Sequence, residues 1–339
     1  MSILDRSSVV TFPWGATPPR LQDVVAVAQH AEQLGFYSVN LPLVNVIRPR
    51  AGGPFAKLGN AYTLDALALL PAMVMATSTI RVAVDAIPVF LLPPFAWAKY
   101  FASLDVISGG RVIVGMCLGF GEEHFGAVGL RQKDRGRIAD EQLQVIRRLW
   151  TEDHVSHEGT FYRLFDVSLD PKPVQRPHPP IWWGGRQPSI PRAARHCQFL
   201  NTLWPTRDEV RHDYVPALRR ETARWGTRTG LASWFYCRVT PEREMPRAEV
   251  DAWFGDLMEM EVKVVPSDVT LAGSPEQFAA AMRAYEGAGI QHFVLDFQRH
   301  GLEDSRTTRE QMDLFAKKVV PLLASQGVPP GRGLTPSRE

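Results

Sequence analysis

The sequence predicts a (β/α)8 barrel of the TIM-barrel class with loop insertions, and three observations carry that expectation. Eight short β-branched or aromatic runs alternate with longer segments of helical period, which is the pattern of repeated βα units around a parallel sheet. Several runs are apolar at successive positions, as strands covered on both faces require. No GxGxxG follows the first run, which favours closure over an open doubly wound sheet built for a dinucleotide.

The eight runs are Ser7 to Trp14, Ser38 to Leu43, Ile80 to Val89, Arg111 to Gly119, Pro180 to Gly185, Cys197 to Leu203, Leu231 to Thr240 and His292 to Phe297. After the first, Val24, Val25, Val27, Ala28, Ala31 and Leu34 fall on one side of a helix that Gly35 stops. Further helices are expected over Leu64 to Ala76, Pro94 to Ile107, Arg137 to Trp150, Asp208 to Trp225, Ser274 to Gly287 and Thr307 to Leu323. Two connections are too long for tight turns. Asn45 to Tyr62 follows the second run on the side where barrels carry their active-site loops. Thr240 to Ala272 contains its own helical piece, Glu249 to Val262, and reads as an insertion or lid. One domain over residues 1–326 is expected, with a disordered tail over 327–339.

Composition narrows the function classes. Hydrophobic residues make up 45% of the 339 and charged residues 22%, ordinary for a globular protein with a sizeable core. With 38 basic and 36 acidic residues, a net charge of +2 and no long block of one sign, no nucleic-acid partner is expected. No stretch approaches about 18 uninterrupted apolar residues and the start lacks a signal-peptide pattern, so the expectation is a cytoplasmic protein without a membrane partner. Cys117, Cys197 and Cys237 form no CxxC pair, which argues against a disulfide framework or a metal site. GxSxG, HExxH and Cys–His nucleophile patterns are also missing, so the chemistry has to come from a bound coenzyme.

Candidate residues gather after the expected strands. Asn40 is the polar side chain at the end of the second. Asp85 lies on the third, where a buried carboxylate is costly unless paired; it is either hydrogen-bonded near a coenzyme ring or neutralised by an internal arginine. Gly119 and Gly121 end the fourth, either letting a planar ring approach the backbone or serving turn geometry alone. GGRQPSIPRAAR puts Gly184, Gly185, Arg186 and Ser189 between a strand end and a helix start, where free N–H groups, a hydroxyl and a guanidinium would converge on a phosphate. The alternative there is a capped helix with an exposed arginine. His124 faces either a substrate or its own scaffold, and Arg299 and His300 lie just past the eighth strand. Trp14, Trp182 and Trp183 either stack on a ring or fill the core. Cys117, inside an apolar strand, reads as an inert small hydrophobe, and the glycines of Ser108 to Arg111 read as a helix-to-strand turn.

Three stretches together resemble the bacterial luciferase-like flavin-dependent oxidoreductases. AKYFASLDVISGGRVIVGMCLGFGEEHFGAVG, Ala98 to Gly129, is similar to that family's helix ending in LD-x-x-S-x-G-R, fourth strand and glycine-containing loop. DPKPVQRPHPPIWWGG, Asp170 to Gly185, with RAAR at Arg192 to Arg195, and AGSPEQF with YEGAGIQHFVLDF, within Ala272 to Phe297, follow in the same order. The resemblance implies a flavin at the barrel mouth, contacted by Asp85, Ala86, Gly119, Phe120, Gly184, Gly185, Arg186 and Ser189, with Asn40, Asp85 and His124 as the catalytic candidates. It implies a homodimeric monooxygenase that takes reduced FMN from a separate flavin reductase, with molecular oxygen and a small organic substrate. Hydride transfer with the deazaflavin coenzyme F-420 is the alternative within the same family, and a non-catalytic flavin-binding protein is the third reading.

Overall fold

The computed structural model describes residues 2–11, 14–15, 20–42, 62–119, 121–257, 265–297 and 305–324. Its centre is a ring of eight parallel strands: β1 (Ser7–Val10), β2 (Ser38–Leu41), β3 (Arg81–Pro88), β4 (Val112–Cys117), β5 (Ile181–Gly184), β6 (Phe199–Leu203), β7 (Gly230–Val239) and β8 (His292–Asp296). Each pairs with the next in chain order, and β8 pairs back to β1, so no barrel edge is left open. The expected (β/α)8 barrel is therefore the architecture found, with one strand at each of the eight runs.

Eight main helices pack outside the ring: α1 (Leu21–Leu34), α2 (Ala66–Ala76), α3 (Pro94–Ser108), α4 (Arg135–Thr151), α5 (Ile190–His196), α6 (Val215–Trp225), α7 (Pro275–Ala288) and α8 (Ser305–Leu314). Local chemistry sets their ends. Gly35 and Gly109 stop α1 and α3 in the left-handed conformation, at φ 82° and 68°, which costs a residue without Cβ little. A reciprocal capping box between Ser274 and Gln277 starts α7, satisfying two backbone donors at once.

Because strand side chains alternate faces, each barrel strand feeds two cores. Val10, Ala83, Ile113, Trp182, Ala232, Trp234 and Val294 form the inner one. Their neighbours, among them Val9, Val82, Val114, Trp183, Leu231 and Leu295, join the larger cluster shared with the helices. At the N-terminal end of the barrel, Tyr37, Trp182, Phe199 and His292 close the floor, with ring centroids 4.9 to 5.9 Å apart where they flank His292 and Trp182.

Several boundaries differ from expectation. The first strand ends at Val10 and not at Trp14; Trp14–Gly15 instead pairs antiparallel with Tyr62–Thr63. A hairpin, Val155–Glu158 with Arg163–Val167, was not among the expected runs, because polar residues break its pattern and its Phe165 is 89% exposed. The insertion after β7 is helical over Arg247–Leu257, and Val250, Trp253 and Phe254 pack with Trp204 and Tyr236 beside the barrel mouth. Residues 45–61 of the first long connection, 258–264 of the second and the tail at 327–339 lie outside the described residues.

Candidate active site

The mouth of the barrel is organised by a break in β3. The β3–β4 register shifts between Val84 and Ile87, and the Asp85–Ala86 peptide bond inside that shift is cis. The irregularity presses on β4 at Gly115, where a Cβ would fall 2.2 Å from the Val84 carbonyl and 3.1 Å from Asp85 Oδ1. Only a glycine tolerates that approach, so Gly115 is what lets the bulge settle and turn Asp85 inward.

Asp85 is 4% exposed and shares its charge with amides, not with an arginine. Asn40 Nδ2 and Asn201 Nδ2 both donate to its Oδ2, at 3.2 and 2.6 Å, joining β2, β3 and β6 across the barrel. Burial raises its pKa to about 7, against the lowering effect of the two amides. A carboxyl poised there can hold or release a proton near neutrality. Of the two alternatives for Asp85, neutralisation by an internal arginine is thereby replaced by amide hydrogen bonding.

Next to Asp85 the strand ends are lined by small residues. A Cβ on Gly184 would lie 2.9 Å from the Ala86 Cβ and 3.4 Å from that of Cys117, so β3, β4 and β5 present a wall with no side chain longer than a thiol. Cys117 itself is held as a thiol: its Sγ lies 3.7 Å from the Ala86 carbonyl, and burial, with the nearby Asp85, pushes its pKa up to about 12.

The stretch after β5 corrects part of the sequence reading. The Gly185 N–H is already donated to the Asn201 carbonyl at 3.1 Å, so it is not a free donor. Gly185 matters through its missing Cβ, which would sit 2.3 Å from Ser189 Oγ and 3.5 Å from Trp183 Nε1. Ser189 is buried and its side chain does not cap α5. Trp183 Nε1 is buried and has no hydrogen-bond partner among the described residues. Arg186 pairs with Glu209, N to O 3.3 Å. A buried indole N–H and a hydroxyl thus flank the notch at Gly185, while the guanidinium of the next residue is engaged by Glu209.

Other expected residues fall elsewhere. Gly119 has φ 71°, and the space a Cβ would need is filled by Phe90 and Pro88, at 2.6 and 3.0 Å, so turn geometry alone already requires a glycine there. His124 is buried on the short helix Glu122–Ala127, with Nδ1 3.6 Å from Glu123 Oε1; the two residues that donate to the Asp85 carboxylate are Asn40 and Asn201. Trp182 belongs to the floor and Trp183 to the outer core, under the Arg192 guanidinium, so neither stacks at the mouth. Phe120, Arg299, His300 and the Trp14 side chain lie outside the described residues.

Two polar residues at the mouth escaped the sequence reading. Asn201 was visible as an amide inside CQFLNTL, and nothing local said that it faced inward. Asp296, fully buried at the end of β8, accepts from Trp234 Nε1 at 3.1 Å; a carboxylate closing an apolar strand was the available signal. Among the described residues no group of three His, Cys, Asp or Glu could hold a metal ion, and no helix is long and apolar enough to cross a membrane.

A closed barrel with a near-neutral carboxyl at the C-terminal ends of its strands defines an enzyme of the (β/α)8 class, with its site where such barrels carry their chemistry. The chain belongs to the luciferase-like monooxygenase family, whose sequence model matches residues 7–292, and it is an oxidoreductase of that kind. It is 34% identical over 181 residues to an FMNH(2)-dependent dimethylsulfone monooxygenase of Pseudomonas putida, an alignment covering 52% of this chain and 46% of that one. Over 335 residues it is 25% identical to the protein of the same name from Pseudomonas fluorescens, covering 88% and 85%. An F420-dependent glucose-6-phosphate dehydrogenase of Kineococcus radiotolerans is 24% identical, covering 78% and 84%. The fold is similar to that of monooxygenase RslO1 from Streptomyces bottropensis, with a TM-score of 0.75 at 24% identity, covering 94% of this chain and all of that one.

Proposed function

We propose that the protein is a monooxygenase that uses reduced FMN and molecular oxygen to oxidise a small organic substrate. The observation that carries the reading is the small-residue wall of Ala86, Cys117 and Gly184 beside Asp85, a surface a planar ring can lie against next to a group that exchanges a proton near neutrality. The P. putida relative, 34% identical over its aligned half, favours FMN over the deazaflavin.

Reduced FMN supplies the electrons and the site at which oxygen is activated. Ser189, Arg186 and Trp183 Nε1 would hold its phosphate, in the notch that Gly185 keeps open. Asn40 and Asn201 orient the Asp85 carboxyl by holding Oδ2, which leaves Oδ1 to take up or give a proton. His124, on the short helix after β4, is assigned to the substrate side. The reading includes a separate flavin reductase that delivers the reduced coenzyme, as the similarity to FMNH(2)-dependent monooxygenases supports. It also includes a cytoplasmic C2 homodimer.

Side-by-side titration with FMN, reduced FMN and F-420, followed by aerobic turnover, tests this. Tightest binding of reduced FMN and oxygen-dependent product formation are expected. Anaerobic turnover with F-420 and no affinity for reduced FMN would overturn the reading in favour of hydride transfer, and flavin binding without any turnover would favour a non-catalytic carrier.

A further inference from the structure

Below Asp85 the barrel interior holds a continuous line of polar side chains that reaches the floor. His292 Nε2 lies 2.7 Å from Ser8 Oγ, Ser8 Oγ lies 2.6 Å from Ser38 Oγ, and Ser38 Oγ donates to Asn40 Oδ1 at 2.7 Å. Asn40 then donates to Asp85. All five residues are buried, and Ser8, Ser38 and Asn40 are completely so. Placing Ser, Ser, Asn and His in the core of a barrel is expensive unless each is satisfied, and here each satisfies the next.

Counting protons gives the line a direction. Each hydroxyl has one to donate. Ser38 spends its proton on Asn40 Oδ1, so Ser8 has to donate to Ser38, and His292 Nε2 has to donate to Ser8. The imidazole is neutral, because burial, with Arg6 and Arg81 nearby, lowers its pKa to about 3. It therefore carries its proton on Nε2, and every hydrogen in the column points towards Asp85. The opposite polarity would turn Asn40 Oδ1 to face an anionic carboxylate. Since an amide does not readily hand protons on, the column transmits orientation and not protons.

We infer that His292, Ser8 and Ser38 are positioning residues, which lock the Asn40 amide with its N–H on Asp85 Oδ2 and so hold Oδ1 as the oxygen that exchanges a proton. The floor aromatics Tyr37, Trp182 and Phe199 fix the imidazole at the far end. The inference rests on the reading of Asp85 as the proton-handling group. Titratable or charged groups facing the column are the Cys117 thiol beside Asp85, and Tyr37, Arg6 and Arg81 around His292.

The test is nuclear magnetic resonance on the coenzyme-free protein, so it stands whichever coenzyme the enzyme uses. In protein labelled with 15N-histidine, His292 is expected as the Nε2–H tautomer; an Nδ1–H tautomer overturns the inference without any substitution. In protein labelled with 13C-aspartate, Ser38→Ala should raise the Asp85 titration midpoint by about one pH unit, the worth of one hydrogen bond to a charged acceptor. Ser8→Ala, one link further away, should move it the same way by less, and Ser38→Thr should restore it. Ser7→Ala is the control: its hydroxyl is equally buried but bonds the Ile3 carbonyl, and the midpoint should not move. An unmoved midpoint in Ser38→Ala, or an equal shift in Ser7→Ala, sinks the proposal.

Discussion

Asp85 shows how one residue ties stability to pH. An exposed aspartate titrates at about 3.9, whereas burial holds this one at about 7. Between those values the native state binds a proton that the unfolded chain has released, so stability present below about pH 4 is lost as pH rises through about 7. At about 1.4 kcal/mol per pH unit, the loss approaches roughly 4 kcal/mol. Urea unfolding of the coenzyme-free Asp85→Asn variant at pH 5 and pH 8 should show a flatter pH dependence than the parent; an unchanged slope would mean that Asp85 titrates normally. Arg186 allows a second prediction, through its pairing with Glu209. Arg186→Ala should weaken reduced FMN by about tenfold to a hundredfold, while Glu209→Gln, which frees the guanidinium and keeps the Thr206 capping box, should tighten it. Calorimetric affinities moving in the same direction for both variants would refute the notch assignment.

At the scale of elements, the two ends of the barrel do different work. Arg111, at the turn from α3 into β4, donates to the carbonyls of Val74, Thr77, Ile80 and Ser108, knotting the ends of α2 and α3 to the starts of β3 and β4. Removing the side chain leaves several carbonyls to find new donors. Arg111→Ala should therefore cost about 2 to 4 kcal/mol in chemical denaturation and leave coenzyme affinity untouched, because the floor of such a barrel serves stability and not chemistry. A large loss of affinity with little loss of stability would contradict that division. The same elements show where sequence was readable. LDVISGGRVIVG displays its helix, turn and strand in local chemistry, down to Gly109 and Gly110 at φ 68° and 84°. The Val155–Val167 hairpin was hidden because a half-exposed ribbon carries no apolar run.

For the whole molecule, the apolar residues left on the outer helices are the relevant feature. Met75 on α2 and Phe95 and Ile107 on α3 are 75, 56 and 60% exposed, a surface suited to an isologous contact. The proposed C2 dimer should scatter light at twice the 37.9 kDa chain mass at micromolar concentration. Met75→Glu with Ile107→Glu should return it to a monomer with an intact barrel by circular dichroism. A parent protein that is already monomeric would remove the proposal.

By itself the sequence determined the barrel, since apolar runs, helix stops and turn glycines are local properties and eight of them in alternation leave few ways to close a sheet. It also marked Asn40 at a strand end, Asp85 on a buried strand, and Gly184 and Ser189 between a strand end and a helix start. Tertiary structure alone decided which of them meet. Asn201 reaches Asp85 across 116 residues of sequence, and His292 reaches Ser8 across 284, contacts that exist only once β8 has paired with β1. The neighbours Trp182 and Trp183 went to opposite cores, and Gly185 proved to have its N–H already committed. In strands covered on both faces, every position is apolar enough to be inside, so periodicity cannot say which side chains share the interior; closure of the ring does.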